Sequence, residues 1–360
     1  MTDPSRPDPF QTAALRASVL AGWRDSPTRF REDANAEDDL RVGAYRDRLL
    51  VELAQNASDA AAACQGAEGG PGGTVWLRLV DTNAGPELRV ANTGAPLDAD
   101  GVAALASLRA SAKRAGHQVG RFGVGFAAVL AVTDAPRVVS TSGGVLFSAL
   151  HTRAVAGEFD RLAELLAERG GEVPVLRLVW PVSIDEDPLP AGFDTDVRLP
   201  LRPEVDGPAL LAEAAARAVD LLLALPGLTE LRIGDPTAPG GGTWRRAEHD
   251  GRVDVHGPDG VSHWLIHRRE GTLTVEQAAR LGVESRIRPE WSVCWAVPVD
   301  GEGVPLPIDR AAGAEVLHAP TPTDERLSLP ARLFATVPLE PSRRRLLPGP
   351  AGDAVLAAAA

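Results

Sequence analysis

Leu49-Leu50-Val51-Glu52-Leu53-Ala54-Gln55-Asn56-Ala57-Ser58-Asp59-Ala60-Ala61 is the stretch on which the reading of this chain turns. Glu52, Asn56 and Asp59 are spaced four and then three residues apart, which at ~100° per residue gathers them on one stripe of a helix. Leu49, Leu53 and Ala57 form the adjoining apolar stripe. A wet helix face ordinarily mixes charges of both signs, often as Glu–Lys pairs four apart. Here two acids flank a neutral amide, with no base among them. That set suits a magnesium ion and a water. Magnesium takes oxygen ligands and keeps several waters, so the Asn56 amide oxygen can anchor it beside phosphate oxygens. Glu52, one turn earlier, can polarise an attacking water. An amphipathic core helix with an incidental polar seam accounts for the same residues without any chemistry.

Two later stretches change the balance. Leu88-Arg89-Val90-Ala91 reads as the end of a strand and runs into a tight turn, Asn92-Thr93-Gly94-Ala95-Pro96-Leu97. Further on, Val119-Gly120-Arg121-Phe122-Gly123-Val124-Gly125-Phe126 sets glycines three and two apart ahead of an apolar helix start. Backbone N–H groups there can face an anion with no Cβ in the way. A glycine-rich turn alone is a weak signal, whereas the ordered set of acid–amide helix, Asn-Thr-Gly turn and glycine loop is specific.

That ordered set resembles the GHKL ATPases, the superfamily of gyrase, heat-shock chaperones, histidine kinases and MutL. Glu52–Ala60 is similar almost letter for letter to the first motif of the ninety-kilodalton heat-shock chaperones, and Gly120–Phe126 to their third. The shape of the whole is nearest to the N-terminal ATPase-like domain of sacsin and its bacterial relatives. The resemblance implies an α+β fold: a Bergerat-type two-layer α/β sandwich with a mixed, mainly antiparallel sheet, followed by a second, middle-type α/β domain. It implies that Glu52 activates water, that Asn56 holds Mg2+ with Asp59 beside it, and that the amides of Gly120, Arg121, Phe122, Gly123, Val124, Gly125 and Phe126 hold the phosphates of ATP. Asn92, with Gly94 in the same turn, stands where the family has an Asp that accepts from the adenine amino group. An Asn carbonyl accepts as well, but brings an NH2 donor that needs its own partner. Pro96 replaces a family glycine. Phe193-Asp194-Thr195-Asp196-Val197 is similar to the late strand whose Thr backs the base, which assigns Thr195 to the base edge; an ordinary strand threonine is the plain alternative.

Composition sets the outer limits. The 360 residues allow two or three domains, and a hydrophobic fraction of 44% is that of an ordinary globular chain. A net charge of −12 argues against general nucleic-acid binding, which needs a basic face. Cys64 and Cys294 are the whole cysteine complement, so no disulfide framework is indicated and a reducing cytoplasm fits. No signal-peptide core or bilayer-length apolar run is present.

Taken in order, residues 1–9 read as a mobile N-terminus and 10–200 as the ATP-binding domain. Phe10–Trp23 has helical spacing, and the acidic Glu32–Asp39 reads as a loop. Gly66–Gly73 lacks the Lys-Ser/Thr ending of a P-loop and reads as a connector. Thr74–Val80 and Glu87–Ala91 alternate like strands across a short turn, which implies antiparallel pairing rather than a three-layer Rossmann arrangement. Asp100–Ala115 is expected to be helical, with Lys113 within reach of phosphate oxygens and a short lid, Arg114–Val119, before the glycine loop. Arg137–Thr141, Val145–Ala149, Val173–Pro181 and Thr195–Leu201 read as further strands.

The proline-bearing 201–208 reads as a linker, 209–350 as the middle-type domain and 351–360 as an Ala-rich tail. In that second half Ala209–Ala224 and Thr274–Leu281 read as helices, and Leu228–Ile233, a meander over Thr243–Arg269 and Trp291–Val299 as strands. His263 and His267 are too far apart on a strand, ~13 Å, to share a metal. Arg343, in Ser342-Arg343-Arg344-Arg345, matches by resemblance the middle-domain arginine that reaches the terminal phosphate, with Arg344 next in register. The expected function is therefore Mg-dependent ATP binding with slow hydrolysis to ADP and phosphate in a chaperone-like protein, nucleotide state driving closure of the first domain on the second. A nucleotide-gated interaction module with little hydrolysis is the alternative. ATP and ADP are the expected ligands, client or partner proteins are left open, and so is a homodimer. No phosphoacceptor His precedes Glu52, which sets a histidine kinase aside.

Overall fold

The computed structural model describes residues 8–42, 48–64, 72–107, 125–185, 187–235, 241–279, 281, 289–307, 316–319, 322–340 and 344–360. The chain divides into two compact units, Met1–Ala216 with Leu231–Gly241, and Arg217–Glu230 with Gly242–Ala360. The secondary structure is α+β, and the strand pairing is mostly antiparallel.

The first unit is built on β1 (Gly73–Thr82), β2 (Gly85–Asn92), β3 (Arg137–Ser140), β4 (Gly143–Phe147), β5 (Val179–Val182) and β6 (Thr195–Pro200), in the order β1-β2-β6-β3-β4-β5. Every one of these neighbours is antiparallel. The β1–β2 register, Leu77 opposite Val90 and Thr82 opposite Gly85, follows the alternation in the sequence. One face carries Val75, Leu77, Val90, Val197, Leu199, Val138 and Val145, mostly fully buried. Helices α1 (Thr12–Asp25), α2 (Pro27–Val42), α3 (Leu49–Cys64), α4 (Ala99–Leu105), α5 (Ala149–Ala156), α6 (Asp160–Glu168) and α7 (Gly207–Ala216) complete this unit. α3 and α7 pack on β1, and the backbone of Gly207 lies against Leu79, where a Cβ would come within 2.9 Å.

The other face of the sheet is unusual. Arg78, Arg89, Arg198 and Arg137 stand directly opposite one another across β1, β2, β6 and β3. Like charges in that position repel. Three acids offset them. Glu87 accepts from Arg89 (2.6 Å) and from Arg137, and Asp196 accepts from Arg78 and Arg198, each at 3.0 Å. Asp187 takes a bidentate pair from Arg89 (3.1 and 2.6 Å) and meets Arg198 at 3.0 Å. Burial alone would raise the Asp187 carboxyl, but the hydrogen bonds from Arg89 and the charges of Arg198, Arg89 and Arg137 hold it below the usual carboxylate range.

Glu32–Asp39, expected as a loop, lies inside α2. Ser26 precedes Pro27, which occupies the first turn where a missing N–H costs nothing. Among the described side chains the buried side of this helix is Phe30, Ala34 and Glu37, so the surrounding acids hide its period. Those acids have partners: Trp23 Nε1 donates to Asp33 (2.8 Å), Arg177 meets Asp33 at 3.1 Å, and Arg169 binds Asn35 and Asp38. Glu37 accepts the backbone N–H groups of Val175 and Leu176 (2.9 Å for the latter). That bond explains a second difference: of the expected strand Val173–Pro181 only β5 forms, because the N–H groups of 175 and 176 are taken. Ala209–Ala224 is likewise two helices, broken at Arg217 (φ −99°, ψ 0°). α4 opens on Asp98, whose carboxylate accepts from Gly101 N (2.7 Å), and the rest of the expected helix from residue 108 lies outside the described residues.

β7 (Leu228–Ile233) is divided between the units, and Gly234 after it donates to Leu77 O at 2.7 Å. The second unit contains α8 (Ala218–Ala224), β8 (Gly242–His249), β9 (Arg252–Gly257), β10 (Gly260–Thr272), α9 (Val275–Ala278), β11 (Glu290–Val299), β12 (Val316–His318), β13 (Pro322–Arg326), β14 (Arg332–Ala335) and α10 (Pro350–Ala359). Its strands run β8-β9-β10-β11-β14-β12-β13, and β12–β14 is a parallel pair in an otherwise antiparallel series. The Ala-rich end is helix α10 rather than a tail; its Val355 is buried with Val293, Leu317, Leu333 and Ala335. No helix among the described residues is long and apolar enough to cross a membrane.

Glu37 yields a pH test. Burial pushes its carboxyl up to about 8 in spite of the two N–H donors. A folded pKa above the unfolded one stabilises most at low pH, and the contribution is lost as pH rises through the folded value. The unfolding free energy is therefore expected to fall as pH rises from about 4.5 to about 8 and then to level off. Urea titrations across that window check this, and Glu37→Gln is expected to flatten the slope.

Candidate functional site

α3 is buried along most of its circumference: Leu49, Leu50, Val51, Leu53, Ala54, Ala57, Ser58 and Ala61 all lie inside. Its half-exposed positions are Glu52, Gln55, Asn56, Asp59 and Ala60. The polar stripe expected from the spacing is thus the half-exposed side of the helix up to residue 61, with Asp59 Oδ2 itself buried. Among the described residues no group of three His, Cys, Asp or Glu side chains converges on a metal position.

The turn after β2 is fastened to this helix by backbone. Thr93 N donates to Thr74 O (3.1 Å), and Thr93 Oγ1 accepts from Thr74 N (3.0 Å). Ala95 N then donates to Ala60 O at 2.9 Å. Gly94 sits between these bonds at φ +128°, in a region that favours glycine. A Cβ on Gly94 would lie 2.5–2.6 Å from the carbonyl of Ala60 and the nitrogen of Ala61, so no side chain fits. Gly94 N donates to Asp194 Oδ2 at 2.9 Å. Asp194 N in turn donates to Asn92 O (3.0 Å), so one residue grips the turn from both ends.

Beside the turn, three polar side chains form a row on adjacent strands. Asn92 of β2 is opposite Thr195 of β6, which is opposite Ser140 of β3. Asn92 is 8% exposed and Ser140 is fully buried. Asn92 Nδ2 donates to Thr93 O at 3.2 Å. Ser140 Oγ accepts from Leu97 N (3.0 Å), donates to Asp194 O (2.8 Å) and lies 3.1 Å from Thr195 Oγ1. The row ends at Gly143 of β4, where Pro9 and Phe10 of the N-terminal segment fill the space a side chain would take. Ser140 and Asp194 escape a motif search because each is a common residue at a strand end; the register alone brings them to Asn92.

Two turns before Ala60 on α3, Glu52 meets the third segment. A Cβ on Gly125 would lie 2.2 Å from Glu52 Oε2, so the carboxylate rests against the glycine backbone. Gly125 leads into a short 3-10 helix, Phe126–Ala131, and the Phe126 side chain is buried with its ring 6.3 Å from that of Phe147. Glu52, Asn56 and Asp59 thus lie along one helix, Asn92 and Thr195 on a row of strand ends, and Gly94 and Gly125 against that helix. Lys113, Gly120, Arg121, Phe122, Gly123, Val124 and Arg343 lie outside the described residues.

The two glycines are expected to respond differently to alanine. Gly94→Ala meets backbone at a positive φ and is expected to cost about 2 kcal/mol or more in denaturant unfolding. Gly125→Ala meets only the end of a flexible side chain, so unfolding is expected to stay within about 1 kcal/mol of the parent while the Glu52 carboxylate moves. The chain matches no known protein-family model and no curated protein sequence.

Proposed function

We propose that the first unit is a GHKL-type nucleotide-binding domain that takes ATP with Mg2+ and hydrolyses it slowly. What supports the reading is that two segments distant in sequence meet the half-exposed stripe of α3: the Gly94 turn at Ala60, and Gly125 at Glu52. Glu52 and Ala60 are about 12 Å apart along the axis at 1.5 Å per residue, a span that accommodates an extended nucleoside triphosphate. The base end lies at Asn92 and Thr195, the terminal phosphate end at Glu52.

The donor set fits magnesium held mostly by phosphate and water. Asn56 offers one neutral amide oxygen on the half-exposed stripe, and no cage of carboxylates competes for the ion among the described residues. Magnesium, when bound, supplies charge neutralisation on the phosphate oxygens. Glu52 accepts a hydrogen bond from the attacking water and takes its proton, which passes on to the departing phosphate. Seating that carboxylate against Gly125 restricts its rotamers, so it is positioned before the water arrives. Asp59 lies one turn beyond Asn56 and would orient water beside a magnesium ion held there.

Glu52→Ala is expected to bind ATP with Mg2+ in calorimetry at close to the parent affinity and to release phosphate at least ~100-fold more slowly. Asn56→Ala is expected to lose the magnesium-dependent part of the binding. Turnover by Glu52→Ala at the parent rate would remove Glu52 from the mechanism, and absence of any heat with ATP and Mg2+ would remove the reading as a whole.

A further inference from the structure

We infer that the floor formed by Asn92, Thr195 and Ser140 accepts 6-oxopurine as well as 6-aminopurine nucleoside triphosphates; this rests on the nucleotide-binding reading above. Adenine presents a donor at its 6-amino group and an acceptor at N1. Hypoxanthine presents the reverse, an acceptor at O6 and a donor at N1–H. A floor selects one of them only if its own donors and acceptors are fixed.

None of the three side chains in the row is fixed. Asn92 carries an acceptor and a donor on one planar amide. Its Nδ2 gives one hydrogen to Thr93 O at 3.2 Å and keeps a second, so the amide still has both an N–H and a carbonyl oxygen to offer a base. Thr195 and Ser140 face each other at 3.1 Å with either hydroxyl able to donate. When Ser140 donates to Asp194 O, Thr195 donates to Ser140 and shows a lone pair to the base. When Ser140 instead donates to Thr195, the Thr195 hydrogen is released for the base. Asp194 O loses nothing essential in that exchange, because it still accepts from Thr141 N at 3.0 Å. Leu97 N donates to Ser140 in both states.

Two carboxylates at the start of β6 are engaged elsewhere. Asp194 Oδ2 is committed to Gly94 N, and Asp196 lies on the opposite face of the sheet, bonded to Arg78 and Arg198. An ionised carboxylate in place of Asn92 would accept only, and would favour the 6-amino group.

The test titrates the protein with ATP and with inosine triphosphate, each with Mg2+, by calorimetry, and then titrates inosine triphosphate into ATP-loaded protein. Dissociation constants within about fivefold and mutual displacement are expected. Asn92→Asp is expected to widen the preference for ATP by about tenfold or more. Should that variant not fold, Thr195→Val is expected to weaken both nucleotides alike and keep their ratio. ATP binding with inosine triphosphate weaker by about thirtyfold or more would overturn the inference and leave the nucleotide reading standing. Binding of neither would overturn both.

Discussion

The contact of Gly94 with the backbone of Ala60 is the constraint on which the first unit depends. Ala95 N–H bonded to Ala60 O, and a glycine pressed on that same peptide, lock the end of β2 to α3 without any side chain in between. A backbone-to-backbone contact has little freedom to relax, since neither partner has a rotamer to change. Through it the position of the sheet fixes the position of the helix. The row of Asn92, Thr195 and Ser140 is therefore held relative to Glu52 and Asn56 by main chain, and only the last atoms of each side chain remain adjustable. Chemistry that needs placement to within a fraction of an ångström is best built on such elements.

What could be read from residues alone followed from period and punctuation. The β1–β2 hairpin shows alternation on both sides of a short turn, and α3 shows an apolar stripe with a polar neighbour; both are present as expected. α2 is illegible because the buried face among its described side chains is Phe30, Ala34 and Glu37, one of them an acid. A periodicity argument counts Glu37 as solvent-facing, whereas its carboxylate ends the loop at Val175 and Leu176. The same bond keeps Val173–Pro181 from becoming a full strand, so one buried acid hides both the helix and the loop. Around the Gly94 turn, Asn92 stands out by its motif, while the bonds of Asp194 and Ser140 to that turn do not show in the sequence. Their part depends on which strands are neighbours, and β6 reaches its place between β2 and β3 from about a hundred residues further along the chain.

The second unit manages buried charge by pairing it locally. Arg332 meets Asp220 at 2.9 Å and lies over the ring of Trp264, 4.7 Å from its centroid. Burial pushes the Asp220 carboxyl up against the pull of Arg332 and Arg217. The neighbouring His318 is driven down to about 4 by its burial and by the same two arginines, which leaves the imidazole neutral at physiological pH. Such groups fix one packing of α8 on its sheet, because a shifted helix would strand them unpaired.

The arginine row across β1, β2, β6 and β3 carries a lesson about counting charges. Four guanidinium groups on one sheet face would, by tally, suggest a platform for a polyanion. Their hydrogen-bonding capacity is instead turned inward, on Glu87, Asp196, Asp187 and the Pro188 carbonyl, and the face comes close to electroneutrality. Each acid serves two arginines, so the residues of this lattice are interdependent: change at one position alters the fitness of substitutions at three or four others. A lineage carrying this sheet would be expected to vary there in concert or scarcely at all.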